Sequence, residues 1–261
     1  MIGRVLRISC VSFFNTVPLV FGLRDDPMLA LRFGVPSSLL DDLLSDRADV
    51  ALLPVIDYQR TDGLRIIPSA GIGCDGPTLT VRLFSRSPIK ETRILAADTD
   101  SHTSVALARV ILQKRYGRTA EVVPLHAARD RDRETRLLIG DKVITHEPQG
   151  FEHQLDLGHA WKELTGLPFV FAAWTARPAV ELDDLPAKLT RAREQGLVHV
   201  DELIAAEAPP RGWPLSIARR YLTEYLKFAI GPRELSAIRL FHQFAYEVGA
   251  IDHPPYELRV A

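Results

Sequence analysis

The amino-acid sequence predicts an α/β protein of two lobes with a ligand cleft between them. In residues 1–88 and again in residues 89–175, short apolar runs of strand-like composition alternate with helical patterns, which is typical of mainly parallel sheets covered by helices. After Pro178 the pattern is helical almost to the end, so we assign residues 176–261 to the first lobe together with residues 1–88. Because pockets favour domain interfaces, we expect the site between the lobes.

Strand-like runs in the first lobe end at polar or turn-forming residues. The apolar run Arg4–Ser12 is followed by Asn15, and Pro18 is predicted to begin a helix. Ser37–Ser38 precedes a one-sided apolar pattern, which predicts a serine-capped helix to about Ser45. The other strands predicted before residue 88 are Leu31–Val35, Ala48–Pro54, Arg65–Ser69 and Thr78–Ser85.

The second lobe is predicted from the same kinds of pattern. An amphipathic pattern predicts a helix over Thr103–Tyr116, and the apolar run Phe169–Trp174 is predicted to return the chain to the first lobe. The run Arg129–Glu134 mixes both charges and is predicted to be solvated. Further strands are predicted at Arg93–Ala97, Glu121–Leu125 and Arg136–Ile139.

The carboxy-terminal region is predicted to be four helices. Their apolar faces can cover the sheet or can pack a homodimer, and the first of these is the commoner use of such faces. The predicted helices are Leu185–Gln195, Val200–Ala206, Leu215–Phe228 and Arg233–Val248.

Composition excludes several classes of partner. The chain has 261 residues, a formal net charge of −1 and 46% hydrophobic residues, so it can build a sizeable core but has no global field for nucleic acid or an anionic membrane. No apolar run is long enough to span a bilayer. A strand pattern starts at Arg4, without the segments of an export signal. We therefore expect a cytoplasmic protein in which Cys10 and Cys74 are reduced.

Three motif matches fail on their context. Residues Gly71–Gly76 match the dinucleotide fingerprint by letter, but a strand-like run follows where that motif needs a helix. His153 and His159 do not have the i, i+4 spacing that places two metal ligands on one helical face. Ser101 and His102 are adjacent, but no nucleophile-elbow pattern surrounds the serine. We therefore predict neither a dinucleotide nor a metal site.

A group of hydroxyls lies where a strand gives way to a helix. Residues Asp100–Ser104 lie at the N-terminus of the helix predicted to end at Tyr116. Helix N-termini favour anions through their free N–H groups and the helix dipole. The hydroxyls of Ser101, Thr103 and Ser104 would add donors. Simple N-capping explains the same residues, so both interpretations stay open here.

Other polar groups also stand at strand ends. Ser12 and Asn15 follow the first strand, at the sheet edge where open α/β folds bind ligands. Thr80 follows a glycine-rich turn, and Gly140 and Asp141 follow another strand; a β-favouring threonine and a loop brace are the alternative roles. These groups are hydroxyls, amides and backbone donors, without a cysteine, lysine or histidine placed as a nucleophile. They suit recognition of a small polar anion.

Taken in order, these segments resemble the blocks of one known family. Its usual amino-terminal motif is Ser-Tyr-Leu-Asn-Thr followed shortly by Pro-Leu, and Val11–Leu19 resembles it. The later similar segments are Asp49–Pro54, Asp75–Pro77 with Leu83–Ser85, Asp98–Ser104, Leu138–Asp141, Asp156–Gly158 with Trp161, and Thr165–Ala172 with Trp174. The family is chorismate dehydratase of the futalosine route to menaquinone, and the resemblance covers nearly the whole chain.

The resemblance implies a fold like that of type II periplasmic binding proteins, used as an enzyme. It implies removal of water from chorismate, without a cofactor, to give 3-[(1-carboxyvinyl)oxy]benzoate. The family's asparagine corresponds to Asn15, and its active-site serine corresponds to Thr80, which keeps the hydroxyl but adds a methyl group. Phe13 and Phe14 replace the usual Tyr-Leu, so a tyrosine hydroxyl is lost there. The residues expected to bind substrate are Ser12, Ser101, Thr103, Ser104, Gly140 and Asp141.

A mechanistic hypothesis follows from the missing protein base. The amide of Asn15 cannot accept a proton at neutral pH. We therefore expect the substrate's own enolpyruvyl carboxylate to remove the ring proton, while Asn15 and Thr80 hold that group and the leaving hydroxyl. Asp141 is the rival base on the protein.

Two other functions fit part of the pattern. A non-catalytic anion-binding protein of the same fold would normally carry an export signal and would leave the ultraviolet spectrum of chorismate unchanged. Cyclic dehypoxanthinylfutalosine synthase shares the fold, but its amino-terminal motif is rich in Asp-Thr-Asp instead.

Overall fold

Two mixed β-sheets with helices packed on them make up the protein. The computed structural model describes residues 4–99, 101–127 and 134–261. Asp100 and most of the predicted charged run Arg129–Glu134 lie outside the described residues.

The secondary structure of the described residues is as follows. The strands are β1 (Leu6–Val11), β2 (Leu29–Gly34), β3 (Val50–Pro54), β4 (Arg65–Cys74), β5 (Val81–Ser85), β6 (Ile94–Ala97), β7 (Glu121–Pro124), β8 (Thr135–Ile139), β9 (His153–Asp156), β10 (Phe169–Ala176), β11 (Leu226–Lys227) and β12 (Arg259–Val260). The helices are α1 (Leu39–Leu44), α2 (His102–Tyr116), α3 (Lys142–Thr145), α4 (Leu157–Thr165), α5 (Leu185–Val198), α6 (Val200–Glu207), α7 (Leu215–Arg220) and α8 (Pro232–Glu247).

The first sheet has the strand order β11-β4-β10-β3-β1-β2, with β12 also paired to β4. β1 runs parallel to β2 and β3, whereas β10 runs antiparallel to β3 and β4. The sheet is therefore mixed, and the prediction of a mainly parallel sheet is wrong here. The cause is β10. The chain returns to the first sheet after β9, and β10 then lies between β3 and β4, antiparallel to both.

The second sheet has the order β7-β6-β8-β5-β9. β5 pairs antiparallel with β8 and β9, so it belongs to this sheet, while β10 belongs to the first. The chain thus passes between the sheets at residues 75–80 and 166–168, not at the predicted lobe boundaries 88/89 and 175/176. An apolar run shows that a strand forms but not which neighbours it pairs with.

Several predicted elements differ locally from the structure. Pro18 does not begin a helix but lies inside a 3-10 segment, Phe14–Val20. Ser38 occupies the N-cap position of α1, but its hydroxyl donates to the Val35 carbonyl instead of capping the helix. β5 begins at Val81 rather than Thr78. The pattern gave no indication of β9 or α4.

The predicted helix Leu215–Phe228 is in fact three elements. α7 ends at Arg220, a π-helical turn spans Tyr221–Tyr225, and β11 then pairs with Gly73 and Cys74 of β4. Helical periodicity fails here because Leu226 and Lys227 form strand hydrogen bonds at the sheet edge.

Glycines in β4 let the central strands approach closely. A β-carbon at Gly71 would lie 2.6 Å from the Ala172 carbonyl oxygen, and one at Gly73 would lie 2.6 Å from the Phe169 carbonyl oxygen. The fingerprint-like run thus lies mainly within a strand and opens no helix, as the sequence context predicts.

One continuous apolar core extends across both sheets. Its largest fully buried side chains include Trp161, Trp174 and Phe14. α8 packs on β10 and α2, so its apolar face covers part of the first sheet. Cys10 and Cys74 are buried and unpaired. None of the helices in the described parts of the chain is long and apolar enough to cross a membrane.

Candidate active site

A pocket opens between the two sheets, where β1, β3 and β8 end and β5 begins. Its empty space is about 540 Å³ with the open solvent at its mouth included, and the last residues of β1, β3 and β8 line it: Val11, Pro54 and Ile139. Its side-chain donors are Asn15, Thr78, Thr80, Ser101, Ser104 and Tyr221, and no charged side chain is among the described residues that line it. An anion in this pocket must therefore be held by neutral hydrogen-bond donors and helix dipoles.

Thr80 and Tyr221 meet in the buried wall of the pocket. The Thr80 Oγ1 and Tyr221 Oη atoms are 2.8 Å apart and hydrogen-bonded, and both residues are at most 2% exposed. Burial raises the pKa of Tyr221, while its hydrogen bonds to Thr80 and Asn15 act in the opposite direction. The phenol is therefore neutral near pH 7. It is hydrogen-bonded to Thr80 and lines the same pocket as Asn15, and these are the two residues that the sequence analysis singled out as catalytic candidates.

Tyr221 is the residue of this site that the sequence analysis missed. It begins the π-helical turn at the end of α7, and such turns are frequent at functional sites. Its ring stacks on Trp213 with centroids 4.9 Å apart and on Phe14 at 6.4 Å. No local pattern could have marked it, because its apolar neighbours in the sequence resemble those of any buried helix.

Asn15 reaches the pocket from the 3-10 segment that follows β1. Its neighbour Thr16 is buried and donates a long hydrogen bond, 3.4 Å, to the Asn15 side-chain oxygen. α5 packs against this segment from behind. The amide is thus carried on a short, supported turn at the end of a buried strand.

The start of α2 forms the opposite wall. Ser101 is the N-cap, and its hydroxyl accepts from the Ser104 N–H at 3.3 Å, while the two hydroxyl oxygens are 2.9 Å apart. Capping is confirmed, and both hydroxyls also line the pocket. Thr103 does not line it; that residue is fully buried, and its hydroxyl accepts from the Ile56 N–H.

Gly140 and Asp141 differ in their relation to the pocket. Gly140 lines it and donates its N–H to the Thr80 carbonyl at 2.8 Å. Asp141 is not among the lining residues. Burial raises the pKa of its carboxyl, and the Phe14 backbone N–H lowers it. The Trp213 indole N–H also favours the carboxylate, although it has no hydrogen bond of ordinary geometry.

Ser12 lies outside this group. It is exposed and lines a neighbouring pocket, which shares only Val11 and Phe13 with the first. His102 is also turned elsewhere, with its Nδ1 atom 2.9 Å from the Asp57 carboxylate. The structure therefore brings together Asn15, Thr80, Ser101, Ser104 and Gly140, and it leaves Ser12, Thr103 and Asp141 off the pocket wall.

The described residues contain no group of three or more histidine, cysteine or acidic side chains placed to hold a metal ion. The site consists of neutral donors around an apolar cavity. Such a site can bind and orient a small anion and can stabilise charge that develops on it.

Comparison with known proteins places this chain in a family. A family model described as menaquinone biosynthesis matches residues 6–247. The chain belongs to the menaquinone biosynthesis family. A curated relative of Thermus thermophilus, named chorismate dehydratase, is 30% identical over 82% of this chain and 85% of its own. A Campylobacter jejuni relative with the same name is 25% identical over 88% of this chain and 93% of its own. The predicted family is confirmed.

Solved structures bear on the fold that this menaquinone biosynthesis family member adopts. A crystal structure of an Archaeoglobus fulgidus protein matches with a TM-score of 0.69 at 16% identity, covering 94% of this chain and 98% of that one. The periplasmic aliphatic sulphonate binding protein of Escherichia coli matches with a TM-score of 0.64 at 16% identity, covering 99% and 95%. The predicted two-lobed fold of the periplasmic-binding-protein type is confirmed.

Proposed function

We propose that this protein is a chorismate dehydratase, a hydro-lyase acting in the futalosine route to menaquinone. One observation carries the proposal: an uncharged pocket between the two sheets is lined by Asn15, Thr80 and Tyr221, and the Thr80 and Tyr221 hydroxyls are hydrogen-bonded. The names of the two curated relatives support the same activity.

The pocket suits a small, doubly charged ring. Chorismate carries two carboxylates, and the hydroxyls of Ser101 and Ser104 at the start of α2 offer donors for one of them. Phe13 and Phe171 supply apolar surface for the ring. Asn15 and Thr80 then face the part of the ring where the enolpyruvyl ether and the hydroxyl lie.

The reaction itself needs no external oxidant or activated group. The enolpyruvyl carboxylate takes the proton from the ring carbon that carries the ether. The electron pair of that C–H bond completes the aromatic ring, and the C–O pair leaves with the ring hydroxyl. The carboxylic acid returns its proton to the departing oxygen, so the products are the aromatic ether and water.

In this scheme the protein neither gains nor loses a proton. Its residues orient the substrate and stabilise the charge that develops on it. Asn15 holds the enolpyruvyl group, and Thr80 donates to the leaving hydroxyl while Tyr221 donates to Thr80. Orientation of this kind can supply about 7–11 kcal/mol of the barrier, and a single well-placed donor about 3–4 kcal/mol. Asp141 is set back from the pocket wall, which favours the substrate's carboxylate as base.

Product identification tests the proposal directly. The purified protein is incubated with chorismate and the mixture is analysed by mass spectrometry and ultraviolet absorption. We expect a product that has lost one water and has the spectrum of a substituted benzoate, and we expect Thr80→Ala to form it far more slowly. Saturable binding of chorismate with an unchanged spectrum would instead make the protein a binding protein of the same fold.

A further inference from the structure

The residue before Thr80 has an unusual backbone conformation. Leu79 has φ +68°, a region that leucine rarely adopts. The Thr80 N–H donates to the Thr78 carbonyl at 2.8 Å, which closes a three-residue γ-turn around Leu79. Such turns are strained, and they persist only where the surrounding structure holds them.

One carboxylate holds this turn from outside. The Asp156 side chain accepts from the Leu79 N–H at 2.8 Å through one oxygen, and from the Thr78 N–H at 3.0 Å through both. Hydrogen bonds to an ionised acceptor are stronger than neutral ones. Asp156 also accepts from the His159 N–H at 3.0 Å as the N-cap of α4.

Asp156 is itself fixed in place. It is the last residue of β9 and lies opposite Arg82 in the antiparallel pairing of β9 with β5. The first turn of α4 packs against the turn as well, since a β-carbon at Gly158 would lie 2.7 Å from the Gly76 carbonyl oxygen and 3.2 Å from Thr78 Cβ. Two independent contacts therefore fit this part of β9 and α4 to the segment that carries Thr80.

We propose that Asp156 is a positioning residue that holds the left-handed turn at Leu79 and thereby sets the Thr80 hydroxyl against Tyr221. The inference rests on the proposed function for its kinetic consequence. Without the carboxylate, Leu79 relaxes toward negative φ, and the Thr80 side chain rotates away from the pocket. A misplacement of about 1 Å in such a group costs on the order of 100-fold in rate.

Asp156→Asn separates this role from helix capping. Asparagine is as good an N-cap as aspartate, and its one oxygen can keep the bonds to His159 and Thr78. Its amide nitrogen then faces the Leu79 N–H, donor against donor. We expect kcat to fall about 10- to 100-fold with a much smaller change in KM.

Leu79→Gly is the rescue variant, because glycine adopts positive φ without strain. In the Leu79→Gly background, Asp156→Asn should change kcat by no more than about twofold. Comparing Leu79→Gly with the double variant also tests the inference if the single variant Asp156→Asn does not fold. Asp75→Asn is the matched control, since this carboxylate in the same crossing segment pairs with Lys162 rather than with the turn, and it should retain the wild-type kcat.

Wild-type kcat in Asp156→Asn, or an equal kcat loss with glycine at position 79, would overturn the inference. A crystal structure of Asp156→Asn needs no turnover and should show Thr80 Oγ1 beyond hydrogen-bond distance of Tyr221. An unmoved Thr80 would overturn the inference whatever the reaction is. Failure of the wild type to convert chorismate would instead overturn the proposed function.

Discussion

The hydroxyls of Thr80 and Tyr221 are hydrogen-bonded at 2.8 Å, although the two residues are 141 positions apart in the chain. One precedes β5 and the other begins the π-helical turn after α7. Because both are buried, neither hydroxyl can replace this partner with bulk water. The contact therefore couples the carboxy-terminal helices to the group proposed to act on the substrate.

Tyr221→Phe removes this contact and leaves the ring in place. We expect kcat/KM to fall roughly fivefold, because a hydrogen bond of this kind contributes about 1 kcal/mol net and the freed Thr80 hydroxyl can rotate. Steady-state kinetics with chorismate measure the effect. Tyr225→Phe makes the same change in the same turn, away from the pocket, and should be neutral. Equal activity of the two variants would contradict a role for Tyr221.

The Thr80 hydroxyl itself is tested by a pair of variants. Thr80→Ser keeps the donor and removes a methyl group, so turnover should remain close to that of the wild type. Thr80→Ala removes the donor, and we expect kcat to fall about 100- to 1,000-fold, the usual cost of losing one donor to developing charge. Similar melting temperatures would show that both variants fold. Near-normal turnover in Thr80→Ala would contradict the assignment.

Asp141→Asn distinguishes a substrate base from a protein base. We expect turnover to be largely retained, because the Asp141 carboxyl does not line the pocket. Burial raises the pKa of Asp141, so the folded protein disfavours its charge, and removing that charge should not lower stability at neutral pH. Loss of nearly all turnover with retained chorismate affinity would show that Asp141 is the base.

The buried imidazole of His242 predicts how stability depends on pH. Its Nε2–H donates to the Val55 carbonyl at 2.7 Å, and its Nδ1 accepts from Gln59 at 2.9 Å. Burial lowers the pKa of His242 to about 4 from 6.5. Because the folded pKa is the lower one, the unfolded chain binds the proton first as pH falls. The stabilisation is complete above pH 6.5 and is lost toward pH 4.

The expected change over that interval is about 3 kcal/mol in the free energy of unfolding, at about 1.4 kcal/mol per pKa unit. Urea unfolding at several pH values between 4 and 7 measures it. His242→Gln should flatten this dependence, whereas His199→Gln at the surface should leave it unchanged. A dependence that survives in His242→Gln must come from other groups.

Local patterns were sufficient for many elements and insufficient for their pairing. The helix predicted at Thr103–Tyr116 is α2, and its serine cap is a local signal. Its apolar residues are not confined to one face, since Ala106–Ala108 and Val110–Leu112 are all buried. The return of β10 to the first sheet was predicted, whereas β5 was placed in the wrong lobe, since its hydrogen-bond partners lie far away in the chain. β9 was missed because a short strand at a sheet edge has no fully buried residue in its pattern.

The residues of the site were likewise predicted where a local motif marks them and missed where only distant contacts do. Asn15 and Thr80 were predicted from family-like motifs, and Ser101 and Ser104 from the polar start of a helix. These four residues line one pocket. Tyr221 was not predictable, because its place depends on a π-helical turn and on the distant strand that β11 joins.

The segment of residues 75–80 joins the two sheets and also ends in Thr80, the threonine proposed to act on the substrate. Two-domain proteins that bend do so at a few connecting residues, which absorb the change in backbone torsion. Here Asp156 of β9 holds the Leu79 turn, so Thr80 would move with the second sheet, whereas Tyr221 precedes β11 and would move with the first sheet. Any bending between the two sheets would therefore pull the Thr80 and Tyr221 hydroxyls apart.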